Sequence, residues 1–273
     1  MDRSDTNWLA EYPLEEYLQE NSIDCVIFGY DAGKLKVLLI RWKYSEMWSL
    51  PGGYIHRSES FDQAAGRILQ SRTGLESIFL KQFHTFSAVD RNQPSEEEME
   101  IMLKIIANRP SPFGDVEMGW FIKRFITTGY FALVNVNETK PNPDFLSDRC
   151  EWIDIDQVPQ LLSDHNKVLD TALEYLRNQI NYLPIGISLL PEKFTMKELR
   201  HLYESILKMP LDRSNFQRKM LKLDFLIRQE KKMTGASNKA PYLYSFDPRK
   251  YQSLLEKGMG FYFLQNTNNA SVL

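Results

Sequence analysis

Hydrophobic and polar positions follow two different periods along this chain. Runs of apolar residues typical of β-strands occur at 23–29, 35–42, 76–88, 124–136 and 151–155. Apolar stripes at helical spacing occur at 60–73, 95–108 and 164–182. Strands interleaved with helices in this order predict a mixed sheet with flanking helices, which is an α+β sandwich.

A change of pattern indicates a second domain. The segment 181–192 contains two prolines, and it is followed by Thr195 and Glu198, whose spacing is that of a helix-capping box. The predicted organisation is therefore an N-terminal extension, a first domain and a smaller second domain, at residues 1–20, 21–184 and 185–273.

The second domain has the element order of a winged helix-turn-helix. Two helices are predicted at 196–207 and 213–223, with Asp212 as the N-cap of the second helix. Two strands follow, at 225–230 and 242–246, and they enclose a polar loop. Two helices in a turn followed by a hairpin are typical of DNA-binding domains of this class.

The charge distribution supports a nucleic-acid partner. Residues 185–273 contain 15 Lys and Arg against 8 Asp and Glu, a balance of +7. Residues 1–184 contain 18 against 28, a balance of −10, and the two parts together give the net charge of −3. A basic C-terminal third on an acidic body indicates that the second domain contacts phosphates, although many basic faces are simply solvated.

The second helix of that domain divides into an apolar face and a basic face. At 100° per residue, Phe216, Met220 and Leu223 share one side. The opposite side carries basic and amide groups that suit phosphates and base edges. With the hairpin loop included, the predicted DNA-binding residues are Arg213, Ser214, Asn215, Arg218, Lys219, Lys222, Lys231, Lys232 and Lys239. The alternative is an ordinary surface helix and hairpin that serve packing.

Composition restricts the class of protein further. With 43% apolar residues, the 273-residue chain can bury a sizeable core. Its two cysteines give no disulfide framework, and no Cys/His spacing suggests a zinc site. The start of the chain lacks a signal-peptide core and no run approaches 18 apolar residues, so we expect no membrane partner and a cytoplasmic location. No cofactor is predicted.

Residues 53–75 carry the most specific motif of the chain. The positions that fall in the register of the catalytic segment of Nudix hydrolases are Gly53, Glu59, Arg67, Leu69, Gly74 and Leu75. The metal-binding glutamates of that segment are replaced by Ile68, Ser71 and Arg72. On a helix these three share one face, where they cannot supply the oxygen ligands that Mg²⁺ prefers. The segment resembles a Nudix fold without Nudix hydrolysis, so neither catalytic residues nor a metal site are predicted.

Over roughly residues 20–250 the chain resembles Nudix-related transcriptional regulators. A degenerate Nudix domain followed by a winged helix is their layout, and Asp164-His165 and Asn215-Phe216 are similar to their joint and recognition-helix patterns. The resemblance implies a Nudix-type α/β/α sandwich, in which Glu59 and Arg67 pair, with a C-terminal winged helix-turn-helix domain. It also implies a homodimer that binds a palindromic double-stranded DNA operator and responds to a small-molecule effector.

The cleft beside residues 53–75 is the expected effector site, with the candidates Lys43, Tyr44, Trp48, Glu59, Asp90 and Arg91. Sugars need an aromatic platform and hydrogen-bonding side chains, whereas nucleotides need groups that neutralise phosphate. The resemblance is closest to arabinose-responsive regulators, which favours a repressor of sugar utilisation with a pentose such as L-arabinose as effector. The alternatives are an effector of the nucleotide or ADP-ribose type, and a divergent hydrolase of nucleoside diphosphate derivatives that recruits Glu96–Glu98 or Glu100.

Overall fold

The computed structural model describes residues 17–76, 79–91, 94–108, 124–144, 146–180, 184–232 and 240–257. Most of the predicted N-terminal extension, residues 92–93 and 109–123, and Lys239 lie outside the described residues. The chain divides into two compact units. One unit comprises Met1–Phe28, Val37–Leu133 and Glu138–Ala172, and the other comprises Gly29–Lys36, Val134–Asn137 and Leu173–Leu273.

In the described part of the chain, seven strands form one large sheet. They are β1 (Tyr17–Asp31), β2 (Lys34–Trp42), β3 (Trp48–Ser49), β4 (Gly52–His56), β5 (Leu80–Phe86), β6 (Ile126–Val134) and β7 (Ser147–Asp154). Strands β3, β2, β1, β6 and β5 follow one another across the sheet, while β4 pairs with β1 and β7 pairs with β2. A strand overlaps each of the five predicted runs, whereas β3 and β4 are not among the predicted elements. Strand β1 begins earlier than its apolar run because its polar first residues pair with β4, with Tyr17 opposite His56.

A tight turn joins β1 to β2, as the sequence predicts. Ala32 and Gly33 have φ angles of 49° and 82°. Two successive residues with positive φ match the right-handed twist of the strands that they connect. Glycine adopts this conformation without a steric penalty, so Gly33 is well suited to the second of the two positions.

Three described helices interleave with these strands along the chain: α1 (Phe61–Thr73), α2 (Glu96–Ala107) and α3 (His165–Gln179). Helix α1 begins at a capping box between Ser60 and Gln63 and ends at Gly74, whose φ of 71° is left-handed. The predicted role of Gly74 as a helix C-cap is therefore confirmed. No helix within the described ranges is long and apolar enough to cross a membrane.

Helix α2 also begins at a reciprocal cap. The Ser95 hydroxyl accepts a hydrogen bond from the N–H of Glu98 at 3.2 Å, and the Glu98 carboxylate accepts from the N–H of Ser95 at 2.6 Å. The other carboxylate oxygen of Glu98 accepts from the N–H of Ser163 at 2.9 Å. In the acidic run, Glu98 thus caps the N-terminus of α2. It also hydrogen-bonds this helix to the segment before α3.

The C-terminal part contains α4 (Met196–Leu207), α5 (Arg213–Lys222) and α6 (Pro248–Lys257), with a sheet of β8 (Phe194–Thr195), β10 (Tyr242–Phe246) and β9 (Leu226–Lys231) in that order. Both strand pairings are antiparallel. The predicted capping box of Thr195 and Glu198 and the predicted N-cap Asp212 are both formed. Helix α6 is not among the predicted elements.

Aromatic side chains from helices and strands fill the core of this part. Tyr203 of α4 contacts Phe216 of α5 with ring centroids 5.3 Å apart. Phe216 and Met220 are 4% and 0% exposed, which confirms them as part of the predicted apolar face of α5, whereas Leu223 is half-buried. Phe225 stacks on Phe246 at 5.8 Å and brings the hairpin onto the same core.

The two cysteines are buried as free thiols. Burial raises the pKa of the Cys25 thiol, and the neighbouring Asp24 carboxylate raises it further. Burial also raises the pKa of Cys150, to about 11. Thiolate is the reactive form of cysteine, so both side chains behave as small apolar core residues.

Candidate effector site and nucleic-acid interface

Glu59 and Arg67 lock the loop before helix α1 to the helix itself. The Arg67 Nε donates to Oε2 of Glu59 at 3.0 Å, and its Nη2 donates to the carbonyl of Tyr54 at 2.8 Å. The Glu59 Oε1 accepts from the backbone N–H of His56 at 2.8 Å. The predicted pairing is confirmed, and the Glu59 carboxylate is committed to the protein's own loop.

Acid is expected to weaken the ion pair between Glu59 and Arg67. Burial raises the pKa of Glu59, but hydrogen bonds from Arg67 and from the His56 N–H lower it more, so the pKa lies below its ordinary value of 4.5. Such a carboxyl contributes stability above its unfolded pKa and loses it as pH falls through the folded pKa. Between about pH 5 and about pH 3, thermal unfolding of Glu59→Gln should therefore depend less on pH than that of the unmodified chain. An equal loss of Tm in both chains would contradict this role.

The three positions that replace the metal-binding glutamates make other contacts. Ile68 is 2% exposed and lies so close to Gly53 that a Cβ atom there would be 3.1 Å from the Ile68 Cδ1. The Ser71 hydroxyl donates to the carbonyl of Ile68 at 2.7 Å. The Arg72 Nη2 donates to the Asp144 carboxylate at 2.8 Å, with both side chains nearly buried. Among the residues that the structure describes, no three His, Cys, Asp or Glu side chains come together as a metal site.

A buried ion-pair network centres on Arg91. Its Nη2 donates to Oδ2 of Asp24 at 2.9 Å, and its Nε donates to Oδ2 of Asp164 at 2.8 Å. The remaining Nη1 donates to the carbonyl of Phe125 at 3.0 Å. Because the guanidinium is rigid and planar, bonds from all three nitrogens hold it in one orientation. Arg91 thereby connects β1, the segment before β6 and the segment before α3. Asp24 and Asp164 are part of this cluster, and no spacing or pattern in the sequence indicates that they meet Arg91.

His165 adds a neutral side chain beside this network. Its Nδ1 accepts a hydrogen bond from the N–H of Leu50 at 3.0 Å, and its Nε2 lies 3.8 Å from Oδ1 of Asp24. A ring nitrogen that accepts a hydrogen bond carries no proton, so we assign the Nε2–H tautomer. The site therefore presents carboxylates and a neutral imidazole around one guanidinium.

Two cavities share Arg91, Leu162 and Ser163 as walls. The first has a volume of about 160 Å³, and its aromatic and ionisable walls include Trp42, Tyr54, Phe125, Asp24, Asp144 and His165. The second has a volume of about 650 Å³ and is strongly acidic, with walls that include Glu46, Asp90, Glu97, Glu98 and Asp164. The arrangement combines a small aromatic recess with a wider acidic cleft.

The predicted effector residues separate into two groups. Asp90 and Arg91 line the second cavity, and Arg91 lines the first as well. Tyr44 is 56% exposed in a turn, where its φ is 62°. The predicted residues outside both linings are Lys43, Tyr44, Trp48 and Glu59. Their roles in effector binding stay predictions, while the aromatic walls of the first cavity are not among the predicted effector residues.

Helix α5 presents most of its predicted basic face to solvent. The exposed residues are Arg213, Ser214, Arg218 and Lys222, whereas Asn215 and Lys219 are half-buried. The Arg218 Nη2 donates to Oδ1 of Asn215 at 3.0 Å, which orients the two side chains together. Burial lowers the pKa of Lys219, and the Arg218 cation lowers it further. The helix therefore carries a dense group of cations that repel one another.

The hairpin of β9 and β10 carries a second group of cations. Lys231 and Lys232 are exposed, and the Lys232 Nζ lies 3.0 Å from Oε1 of Glu198 in the capping box of α4. The Arg228 guanidinium lies 3.4 Å from the centroid of the Tyr242 ring, and the Lys231 Nζ lies 5.5 Å from it. Arg228 is an exposed cation that is not among the predicted DNA-binding residues. Its position in a half-exposed strand could have indicated that it faces solvent.

Comparison with known families decides the class of this protein. Residues 19–174 match the NUDIX domain family. The chain belongs to the Nudix family. Residues 186–246 match a second family, the NrtR DNA-binding winged helix domain. Together the two domains make the chain a Nudix-related transcriptional regulator, and the predicted α+β fold with a C-terminal winged helix is confirmed.

Several proteins are similar to this Nudix regulator across both domains. The ADPR responsive transcriptional repressor NtrR of Acinetobacter baylyi is 27% identical over 256 residues, which cover 91% of this chain and 90% of that protein. The crystal structure of Shewanella oneidensis NrtR has a TM-score of 0.63 and 25% identity, covering 85% of this chain and 96% of that chain. The structure of that NrtR complexed with a 27mer DNA, at 24% identity and a TM-score of 0.63, covers 86% and 96% and is similar in fold.

The expected closeness to arabinose-responsive regulators is not supported. The winged helix of this Nudix regulator matches that of NrtR, and its Acinetobacter relative is named for its response to ADP-ribose. The expectations of a pentose effector and of a role in sugar utilisation depended on that closeness, so they are not supported either. Aromatic side chains near the motif could not separate the two effectors, because sugars and nucleotide bases both pack against aromatic rings.

Proposed function

We propose that this Nudix regulator is a transcriptional repressor whose Nudix domain binds a nucleotide effector of the ADP-ribose type. The observation that carries the proposal is the similarity to the ADP-ribose-responsive repressor of A. baylyi, which extends over 91% of this chain. The proposal includes a homodimer on a palindromic operator, because dimeric repressors of this kind read two half-sites with two recognition helices. It also includes a cytoplasmic location.

The first cavity offers partners for one part of such a ligand, although its aromatic walls would accept a sugar as well as a base. Trp42 and Tyr54 offer aromatic surfaces for a base, and the Asp24 carboxylate can accept hydrogen bonds from ribose hydroxyls. A volume of about 160 Å³ is smaller than typical pockets of roughly 300 Å³ or more, so this cavity would hold only one part of the ligand. The proposal assigns the rest of the ligand to the wider second cavity.

The walls of the two cavities restrict where the diphosphate of an ADP-ribose-type effector can bind. Arg91 lines both cavities, but each of its guanidinium nitrogens already donates one hydrogen bond, and the carboxylates of Asp24 and Asp164 neutralise its charge. The second cavity is lined by carboxylates, which repel phosphate. We therefore place the diphosphate towards solvent at the mouth of the second cavity rather than against Arg91.

On the DNA side, we propose that helix α5 enters the major groove. The proposed contacts from this helix are Arg213, Ser214, Asn215, Arg218, Lys219 and Lys222, which form its basic face. From the hairpin, Lys231 and Lys232 would contact phosphates. Lys239, which lies outside the described residues, is proposed as a further phosphate contact. The ion pair of Lys232 with Glu198 suggests that Lys232 also fastens the hairpin to α4.

We further propose that the Nudix domain senses its ligand without hydrolysing it. Ile68, Ser71 and Arg72 stand where hydrolases carry metal-binding glutamates, and the Arg72 cation opposes a divalent ion. Glu98, a candidate replacement, has both oxygens engaged by backbone N–H groups. Intact ADP-ribose after incubation with Mg²⁺ is the expected result, and release of AMP would favour the hydrolase alternative.

ADP-ribose is expected to stabilise the protein and to release it from DNA. A ligand at about 100 times its Kd contributes about 2.7 kcal/mol to the free energy of unfolding, which is readily seen as a rise in Tm. ADP-ribose, AMP and L-arabinose should be compared in one thermal-shift series. Binding to a duplex enriched by the protein from a random pool should then be measured with and without the stabilising ligand. Stabilisation by L-arabinose alone would overturn the effector assignment, and failure to enrich any duplex would overturn the proposed DNA binding.

A further inference from the structure

The turn between helices α4 and α5 is held by an ion pair of α4. The Arg200 Nη1 donates to Oε1 of Glu204 at 2.6 Å, and it also donates to the carbonyl of Leu211 at 3.1 Å. The same Glu204 oxygen accepts a hydrogen bond from the N–H of Leu211 at 2.8 Å. Both backbone polar groups of Leu211 are thus bound to one pair of charged side chains.

Leu211 occupies the position that decides where helix α5 begins. It precedes Asp212, the N-cap of α5, whose carboxylate accepts from the N–H of Asn215 at 2.8 Å. Helix α4 ends at Leu207, and its C-cap Lys208 has a left-handed φ of 55°. The connection is therefore short, and fixing Leu211 fixes the start of α5 relative to the last turns of α4.

The hydrogen bonds of Leu211 add to the apolar packing between the two helices. Tyr203 and Phe216 already contact each other edge to face. Hydrogen bonds depend on angle and therefore further restrict rotation of one helix against the other. The side chains of Arg200 and Glu204 are only 21% and 20% exposed, so their bonds are partly shielded from competing water.

We propose that Arg200 and Glu204 are positioning residues that set the orientation of helix α5 in the major groove and thereby the selectivity for the operator. The proposal rests on the proposed DNA binding of α5. Base-edge hydrogen bonds require side chains to be placed to within about 0.5 Å, whereas phosphate contacts tolerate a looser arrangement. Loss of the Arg200–Glu204 clamp therefore reduces selectivity more than it reduces the general affinity for DNA.

The test compares selective and non-selective binding by the full chain. One probe is a duplex enriched from a random pool by the unmodified protein, and the other is poly(dI-dC). Glu204→Ala should lower the ratio of the two affinities about tenfold or more, with the salt dependence on poly(dI-dC) unchanged. Glu204→Gln keeps an oxygen that accepts from the Leu211 N–H, so it should recover part of the ratio.

A matched control is available in helix α2. Glu100 forms an ion pair with Lys104 at 2.8 Å and at the same spacing of four residues, but both side chains are more than half exposed. Glu100→Ala should leave the ratio unchanged. Because the ratio does not depend on the fraction of folded protein, a moderate loss of stability in Glu204→Ala would not imitate the expected result.

Two results would overturn the proposal. If Glu204→Ala keeps both affinities of the unmodified protein, the clamp has no role in DNA binding. If Glu204→Ala loses affinity for both probes equally, the ratio is unchanged and the residue acts on folding or on general affinity instead. Failure of the unmodified protein to enrich any duplex is a different outcome, because it removes the proposed DNA binding and the clamp's role together.

Discussion

Replacing Arg218 and Lys222 together with alanine is expected to weaken binding to every duplex and to flatten its dependence on salt. Both residues are exposed on the basic face of α5, where they can neutralise DNA phosphates. Each neutralised phosphate releases about 0.9 of a counterion from B-DNA, so losing two contacts should reduce the slope of log K against log salt by about 1.8. Fluorescence anisotropy across a salt series measures both the affinity and the slope.

The matched control removes two cations from elsewhere on the surface. Lys81 and Lys167 are exposed, and they lie in β5 and α3. The variant Lys81→Ala with Lys167→Ala changes net charge by the same amount, so any general effect of charge should be the same in both proteins. If the two double variants show the same slope, the surface formed by α5 is not where phosphates are bound.

Replacing Arg91 with methionine is expected to produce the largest loss of stability among these changes. The Asp24 side chain is 8% exposed, and Arg91 is its ion-pair partner at 2.9 Å. Removing one partner of a buried pair leaves an uncompensated charge and typically costs about 3–5 kcal/mol. Urea denaturation followed by tryptophan fluorescence should show the loss as a lower midpoint.

The cause of that loss can be separated from a simple packing defect. If an unpaired carboxylate is responsible, adding Asp24→Asn to Arg91→Met should recover part of the stability. Arg41 provides the comparison, because it also binds a carboxylate, with Nε and Nη2 donating to Asp148 at 3.0 and 2.9 Å, but near the surface. Arg41→Met should therefore cost much less. A similar loss from Arg41→Met would show that burial of the Arg91 network is unimportant.

The local elements could be predicted because their signals are close together in the sequence. Ser60 and Gln63 lie three residues apart, as do Thr195 and Glu198, and both pairs form the caps that their spacing indicates. Helix α6 had a comparable signal that the prediction did not use. Asp247 accepts from the N–H groups of Arg249 and Lys250 through its side chain, and a proline at the first helical position follows it.

The cavity walls could not be predicted in the same way because they depend on contacts between distant segments. Arg91 meets Asp24 and Asp164 across separations of 67 and 73 residues, and no periodic pattern links those positions. The pairing of strands also decides which aromatic residue faces the cavity. Trp42 lines the first cavity whereas Trp48 does not, although both are close to the motif in sequence.

The two buried thiols have a practical consequence for measuring how this regulator works. Burial raises the pKa of Cys150 to about 11, so this side chain is the unreactive thiol at pH 7, and burial raises the pKa of Cys25 as well. Cysteines introduced at exposed positions such as Lys81 and Arg249 could therefore be labelled with fluorophores while the native pair stays unmodified. Energy transfer between two such dyes would report in real time whether the distance between the labelled positions changes when an effector is added.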